Sequence, residues 1–252
     1  MEIHMENTST ERVVLKISGS ERQSFLQGLV TNDVNGLKDG LVYSALLTPQ
    51  GKYLADFFLV PTDDAILLDV SADLAQGLAQ RLSMYKLRAD VAVKQTALIV
   101  SRGLTDAPEG SFSDPRNVAM GWRAYGSEDR SQDVDWNALR VAHLIPETGE
   151  ELHGDSYILE CGFEQLNGVD FKKGCYVGQE IIARMKHKTE LRKGLARVEI
   201  DGDAAAGTEL TSNGKAAGML HTVSGDKGIA YLRFDRAQGD MAAGDAIVRM
   251  VG

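Results

Sequence analysis

The chain has 252 residues, 43% of them apolar and 25% charged, with a formal net charge of −9. This composition fits a soluble globular protein of one large or two to three small domains, and the acidic balance argues against bulk nucleic-acid binding. No apolar run reaches transmembrane length and the polar opening MEIHMENTST is not a signal peptide, so no membrane partner and a cytoplasmic location are expected. Cys161 and Cys175 make no disulfide framework, and with the scattered histidines (His4, His143, His153, His187, His221) they match no metal-ligand spacing. No metal site is expected.

Residues 12–17 (RVVLKI) read as a strand. Ser20, with Gln23 three residues on, reads as a capping box for a helix whose apolar face is Phe25, Leu26 and Leu29 and which stops near Gly28. Thr31-Asn32-Asp33 then forms a turn, where Asn32 and Asp33 either bond to local backbone or line a pocket. Residues 41–48 and 53–60 are strands joined through Pro49-Gln50-Gly51-Lys52 as a hairpin. Asp56 interrupts the apolar second strand. Strict alternation puts Leu54, Asp56, Phe58 and Val60 on one side, so the carboxylate must be paired, hydrogen-bonded, facing a cavity or turned to solvent.

Residues 65–70 form another strand, and Ser71 can cap a helix running to about Leu87 with Leu74, Leu78, Leu82 and Tyr85 as its core stripe. Residues 91–100 read as a strand, and 101–116, rich in Gly, Ser, Asp and Pro, as a loop and subdomain break. A strand over 117–126 and a helix over 134–146, stopped by Pro146, follow. This order suggests an α+β fold, an antiparallel or mixed sheet covered on one face by helices.

Phe171 to Arg184, FKKGCYVGQEIIAR, is the most informative stretch. Cys175 sits between Gly174 and Gly178 after two lysines, and Ile181, Ile182 and Met185 mark a helix starting beside a glycine-rich turn. The helix N-terminus, Lys172 and Lys173 all favour the thiolate, and the glycines allow close approach of another group. Between Lys172 and Lys193 the basic residues Lys172, Lys173, Arg184, Lys186, Lys188, Arg192 and Lys193 face only Glu180 and Glu190, either as an anion site or as a solvated helix end. After Lys193, short strand-like runs separated by Gly, Asp, Asn and Ser suggest a small barrel or sandwich.

KGCYVGQEIIAR resembles the signature of the YgfZ-type folate-binding proteins. These are relatives of the aminomethyltransferase (T-protein) of the glycine cleavage system and assist assembly or repair of iron–sulfur clusters. FLQGLVTNDV, PQGKYLADFFLV, RLSMYKLRADVAV and the Glu160 segment ILECGFEQLNGVDF resemble the same superfamily, so the likeness covers about Arg12 to Met250. It implies an aminomethyltransferase-like folate-binding domain of ferredoxin-like or mixed sheet-plus-helix type, followed by a C-terminal β-barrel. The expected divisions are 1–105, 106–192 and 193–252.

The resemblance also implies tetrahydrofolate as a cofactor and iron–sulfur proteins or assembly factors as partners. Cys175, Lys173, Glu180 and Arg184 would carry the chemistry. Asp56, Asn32, Lys173, Tyr176 and Gln179 would contact folate, whose anionic tail Lys173 and Arg184 could attract. Cys175 could be a nucleophile, a redox thiol or a transient cluster ligand. A folate-dependent aminomethyltransferase is the alternative. The cysteine motif, the shorter chain, and Ala55 where relatives carry a second acid beside Asp56 count against it. The segment before Pro146 carries Ala142-His143-Leu144 where many relatives have Glu-Ala-Gly, so the pterin-holding glutamate is not carried over. An RNA-binding module is the third reading, weakened by sparse aromatics. A link to tRNA modification is expected to be indirect, through iron–sulfur enzymes.

Overall fold

The computed structural model describes residues 11–187 and 190–251. The opening MEIHMENTST and Lys188 lie outside the described residues. Strands β1 (Arg12–Ser18), β2 (Val42–Leu47), β3 (Tyr53–Pro61), β4 (Ala65–Ser71) and β5 (Ala92–Gln95) form one sheet in the order β2-β3-β4-β1-β5, every pair antiparallel. β2 and β4 are buried along their whole length, so the sheet is covered on both faces. On one face Leu15, Ile17, Phe57, Leu59 and Leu68 pack with Leu26 of helix α1 (Arg22–Gln27) and Leu78 and Leu82 of α2 (Ala72–Tyr85). On the other, Val14, Tyr43, Phe58 and Val60 meet Ile158, Phe163, Tyr176 and Ile182 from the second half of the chain.

The β2–β3 hairpin contains a register shift. Leu46 lies opposite Ala55, but Leu47 lies opposite Tyr53. This bulge corrects the alternation expected for Leu54, which packs with the cluster of Ala55, Phe57 and Leu59, away from Phe58 and Val60. Tyr53 instead shares the core of Phe58 and Val60.

Three local expectations are also corrected. Ser20 caps no helix: its amide and hydroxyl both donate to Asp90 Oδ2, at 2.9 and 2.7 Å, and Glu21 occupies the N-cap without a capping side-chain bond. Ser71 is the N-cap residue of α2, but its hydroxyl makes no capping bond. Residues 91–100 form two strands, because Thr96 turns back to donate to Val14 O at 3.0 Å and ends β5. The chain then enters a second sheet of β6 (Ile99–Gly103), β7 (Phe112–Ser113) and β8 (Trp122–Gly126), in the order β6-β8-β7. Helix α3 (Trp136–His143) starts on Asp135, which accepts from Ala138 N at 2.8 Å, and stops at left-handed Leu144 before Pro146.

After α4 (Gln179–His187) come β9 (Lys193–Asp201), β10 (Glu209–Ser212), β11 (Lys215–Ser224), β12 (Lys227–Arg233), β13 (Met241–Ala243) and β14 (Ala246–Met250). They close a barrel in the order β10-β11-β12-β9-β14-β13 around Val198, Leu210, Leu220, Leu232 and Val248. The barrel is fastened to the rest by side chains as well as packing. Glu151, fully enclosed, takes Arg140 of α3 and the Thr222 hydroxyl of β11, and Tyr231 of β12 donates to Glu160 at 2.6 Å.

Candidate functional site

The loop carrying Cys175 is tied to the Val30–Asp33 turn by bonds between segments more than 130 residues apart in sequence. Thr31 Oγ1 donates to Gly168 O at 2.7 Å, Asn32 Nδ2 to Asn167 O at 2.6 Å, and Asp170 N to Thr31 O at 3.1 Å. Lys173 Nζ donates to Val30 O at 2.6 Å and Asn32 O at 2.9 Å. Asp170 accepts the amides of Lys172 and Lys173, which shapes the loop itself. Thus FLQGLVTNDV and KKGCYVGQE, far apart in the chain, are one structural unit.

The other side of the loop is fixed by two glycines. Gly178 and Gly51 have φ of +83° and +73°. A Cβ on Gly178 would lie 2.7 Å from Thr48 O and 3.2 Å from Gly51 Cα, and one on Gly51 would lie 2.8 Å from Ile181 Cβ. The close approach anticipated for the signature glycine is therefore to the tip of the β2–β3 hairpin. Between these two fastenings Cys175 is exposed, and a Cβ on the adjoining Gly174 would meet nothing within 4 Å.

The other residues of the signature point in different directions. Tyr176 is buried in the core, and burial, with Asp170 nearby, pushes its hydroxyl up to about 12. Lys173 is 8% exposed, and burial lowers its ammonium to about 8 against the pull of Asp33 and Asp170. Its charge is turned inward onto backbone carbonyls. Gln179 is half-buried and Glu180 and Arg184 are exposed, with no side-chain hydrogen bond to any of the three among the described residues. Cys161, by contrast, is buried, with its thiol pushed up to about 12 by burial.

Asp56 lies in a separate, closed place and is 3% exposed. Its Oδ1 accepts from Tyr53 Oη at 2.6 Å and Thr148 Oγ1 at 2.8 Å, and its Oδ2 from Tyr43 Oη at 3.0 Å. The bulge explains the first bond, since residues three apart on a regular strand face opposite sides. Burial, and then Asp56 itself, raise the hydroxyls of both tyrosines well above their ordinary range.

Sequence reasoning missed a third grouping, an arginine layer on the same sheet face. Asp69, opposite Phe58 across β3 and β4, accepts from Arg12 Nε and Arg123 Nη2 at 2.6 Å each and from Tyr125 Oη at 3.0 Å. Asp114 takes Arg116 through two bonds, of 3.1 and 2.9 Å. The guanidiniums of Arg12, Arg116 and Arg123 stand 5.7, 4.9 and 4.1 Å from the Phe58 ring centre. Burial alone would raise Asp69, but Arg12 and Arg123 outweigh it and hold the carboxyl at about 2. The available signal was Asp69 itself, an acid inside the apolar run AILLDV.

Two cavities adjoin these groups. One, of about 290 Å3, is lined by Arg12, Arg102, Arg116, Arg123 and Glu147 among others. The second, of about 370 Å3, is lined by Asn32, Asp33, Tyr43, Asn167 and Asp170 among others. Cys175 and Asp56 line neither. Of the residues expected to contact folate, Asn32 lines the second of these two cavities, and its amide is already bonded to Tyr43 O and Asn167 O. Asp56, Lys173 and Tyr176 are buried and bonded or packed, and Gln179 lies on α4, so these side chains do not converge on either of the two cavities.

An antiparallel sheet packed on both faces, a second small sheet and a closed terminal barrel define an aminomethyltransferase-like fold. A crystal structure of the glycine cleavage system aminomethyltransferase T from Bartonella henselae superposes with a TM-score of 0.76, over 96% of this chain and 83% of that one, at 14% identity. Residues 192–251 match the family model "CAF17, C-terminal beta-barrel domain". The mouse protein "Iron-sulfur cluster assembly factor IBA57, mitochondrial" is 30% identical over 91% of this chain and 78% of its own length, and the human protein of the same name is 28% identical with the same coverage. The chain belongs to the family of IBA57 iron–sulfur cluster assembly factors. The cytoplasmic expectation is overturned, because these relatives are mitochondrial proteins by name.

Proposed function

We propose that the chain serves iron–sulfur cluster assembly or repair and works through Cys175. The carrying observation is an exposed thiol on a loop held from both sides, by Lys173 on the carbonyls of Val30 and Asn32 and by Gly178 against Gly51. A thiol that must meet a partner protein needs access, and fixed surroundings lower the ordering cost of that encounter. Lys173 then acts as a positioning residue, while Glu180 and Arg184 are surface groups available to the partner. Replacing Cys175 with serine in cells is expected to lower the activity of iron–sulfur enzymes while the protein stays folded. Undiminished activity would falsify the assignment.

Tetrahydrofolate binding is the finer part of this reading, and the aminomethyltransferase-like fold supports it. A pterin reaching Asp56 has to displace the hydroxyls of Tyr53 and Thr148. Tetrahydrofolate is expected to raise the melting temperature of the wild type and to lose that effect in Asp56→Ala. An equal response of both proteins removes Asp56 from the binding set. Aminomethyl transfer is disfavoured, because Asp56 stands alone, with Ala55 in the place of a second acid.

A further inference from the structure

The arginine-lined cavity contains one cation in a different position from its neighbours. Arg12 and Arg123 share Asp69, and Arg116 has Asp114. Those two carboxylates sit behind the cavity wall, with side chains 0% and 1% exposed. Arg102 of β6 has no such partner. It joins no ion pair and donates no side-chain hydrogen bond among the described residues, and its guanidinium lies 4.3 Å from the centre of the Trp136 ring. Burial, with Arg123, Arg116 and Arg12 close by, lowers it to about 10 despite Glu147. A half-buried guanidinium among like charges costs stability until an anion joins it.

The acidic groups around the cavity are committed elsewhere or peripheral. Glu147 lies 3.9 Å from both Arg12 and Arg140. Asp129 accepts from Ser131 N at 2.8 Å and Ser101 Oγ at 3.4 Å. Glu11 is exposed at the rim. The remaining wall includes Leu98, Ile99 and Val100, which are apolar. The cavity therefore combines a stacked guanidinium that joins no ion pair among the described residues with an apolar stretch at Leu98, Ile99 and Val100 and about 290 Å3 of space.

We infer that this cavity is a binding site for the oxyanion group, carboxylate or phosphate, of a small organic molecule, with Arg102 as its principal contact. A planar guanidinium fixed by stacking suits two-point recognition of either group. Arg12, Arg116 and Arg123 are neutralised from behind by Asp69 and Asp114, which leaves Arg102 as the lining cation without an ion pair among the described residues. The site does not depend on the folate reading, although the glutamyl carboxylates of a folate are one ligand of this class.

The test is thermal melting of the full chain and of Arg102→Gln, at constant ionic strength maintained with chloride. The probes are glutarate, inorganic phosphate, tetrahydrofolate, and a tetrahydropterin lacking the glutamyl tail. Without ligand, Arg102→Gln is expected to melt at or above the wild type, because it relieves repulsion and breaks no ion pair. Glutarate or phosphate is expected to raise the wild-type melting temperature by about 3–6 °C at tenfold excess over its Kd, and to leave Arg102→Gln unmoved. Which of the two acts distinguishes carboxylate from phosphate. A response to either with none to tetrahydrofolate sustains the site and removes the folate reading. A tetrahydrofolate response lost in Arg102→Gln, with the tetrahydropterin response retained, seats the glutamyl tail here. The inference is overturned if neither oxyanion exceeds chloride, if Arg102→Gln responds like the wild type, or if the variant melts below the wild type, which would make Arg102 a packing residue on Trp136.

Discussion

Asp56 of β3 and Asp69 of β4 face the same core within one sheet, and each is almost completely enclosed. They are compensated by opposite means. Asp56 is surrounded by three neutral hydroxyls, from Tyr43, Tyr53 and Thr148. Asp69 is held by two guanidiniums and a phenol. Hydroxyl donors satisfy lone pairs without balancing charge, and they can be exchanged for those of a ligand. Guanidiniums balance the charge and fix the carboxylate in place. The difference marks Asp56 as the carboxylate that can change partners and Asp69 as a structural pivot that orders the arginine layer.

Removing one partner from each arrangement sharpens this contrast. Asp69→Ala strands Arg12 and Arg123 in a buried site and is expected to cost about 3–5 kcal/mol in urea unfolding. A loss below that of Asp56→Ala would reverse the comparison. Asp56→Ala leaves three hydroxyls without their acceptor, for an expected loss of about 2–3 kcal/mol. The acid limb isolates the contribution of Asp69. The Asp69 carboxyl is held below its ordinary 3.8, at about 2, so its stabilisation is complete above pH 3.8 and disappears as the pH falls through 2. That amounts to about 2 kcal/mol, present in the wild type and missing from Asp69→Asn. Parallel acid titrations of the two proteins would remove Asp69 as the source. Tyr53→Phe gives the smallest effect, about 1 kcal/mol, because Asp56 Oδ1 retains Thr148. If Tyr53→Phe matched Asp56→Ala, the three hydroxyls would not share the role.

Much of the architecture was legible because it rests on local patterns. The β2–β3 hairpin, the start of α4 after Gly178 and the short barrel strands each follow from periodicity and turn residues. The resemblance carried the order of the parts. What escaped depends on partners distant in sequence. Nothing around Tyr53 signals a bulge, yet that one extra residue moves Leu54 away from Asp56 and brings the Tyr53 hydroxyl onto it. Lys173 reads as a cation beside a thiol, but carbonyls more than 140 residues away draw it inward. Arg12, Arg116 and Arg123 read as ordinary strand and loop cations until β4 supplies Asp69 and the loop before β8 supplies Asp114.

The contact between Gly51 and Gly178 has a mechanical consequence. Neither glycine has room for a side chain of its own, so the two backbones lie close, flanked by Ile181 and Leu47. Strand β3 begins at Tyr53, two residues beyond Gly51, so the loop of Cys175 and the strand of Asp56 rest on one common abutment.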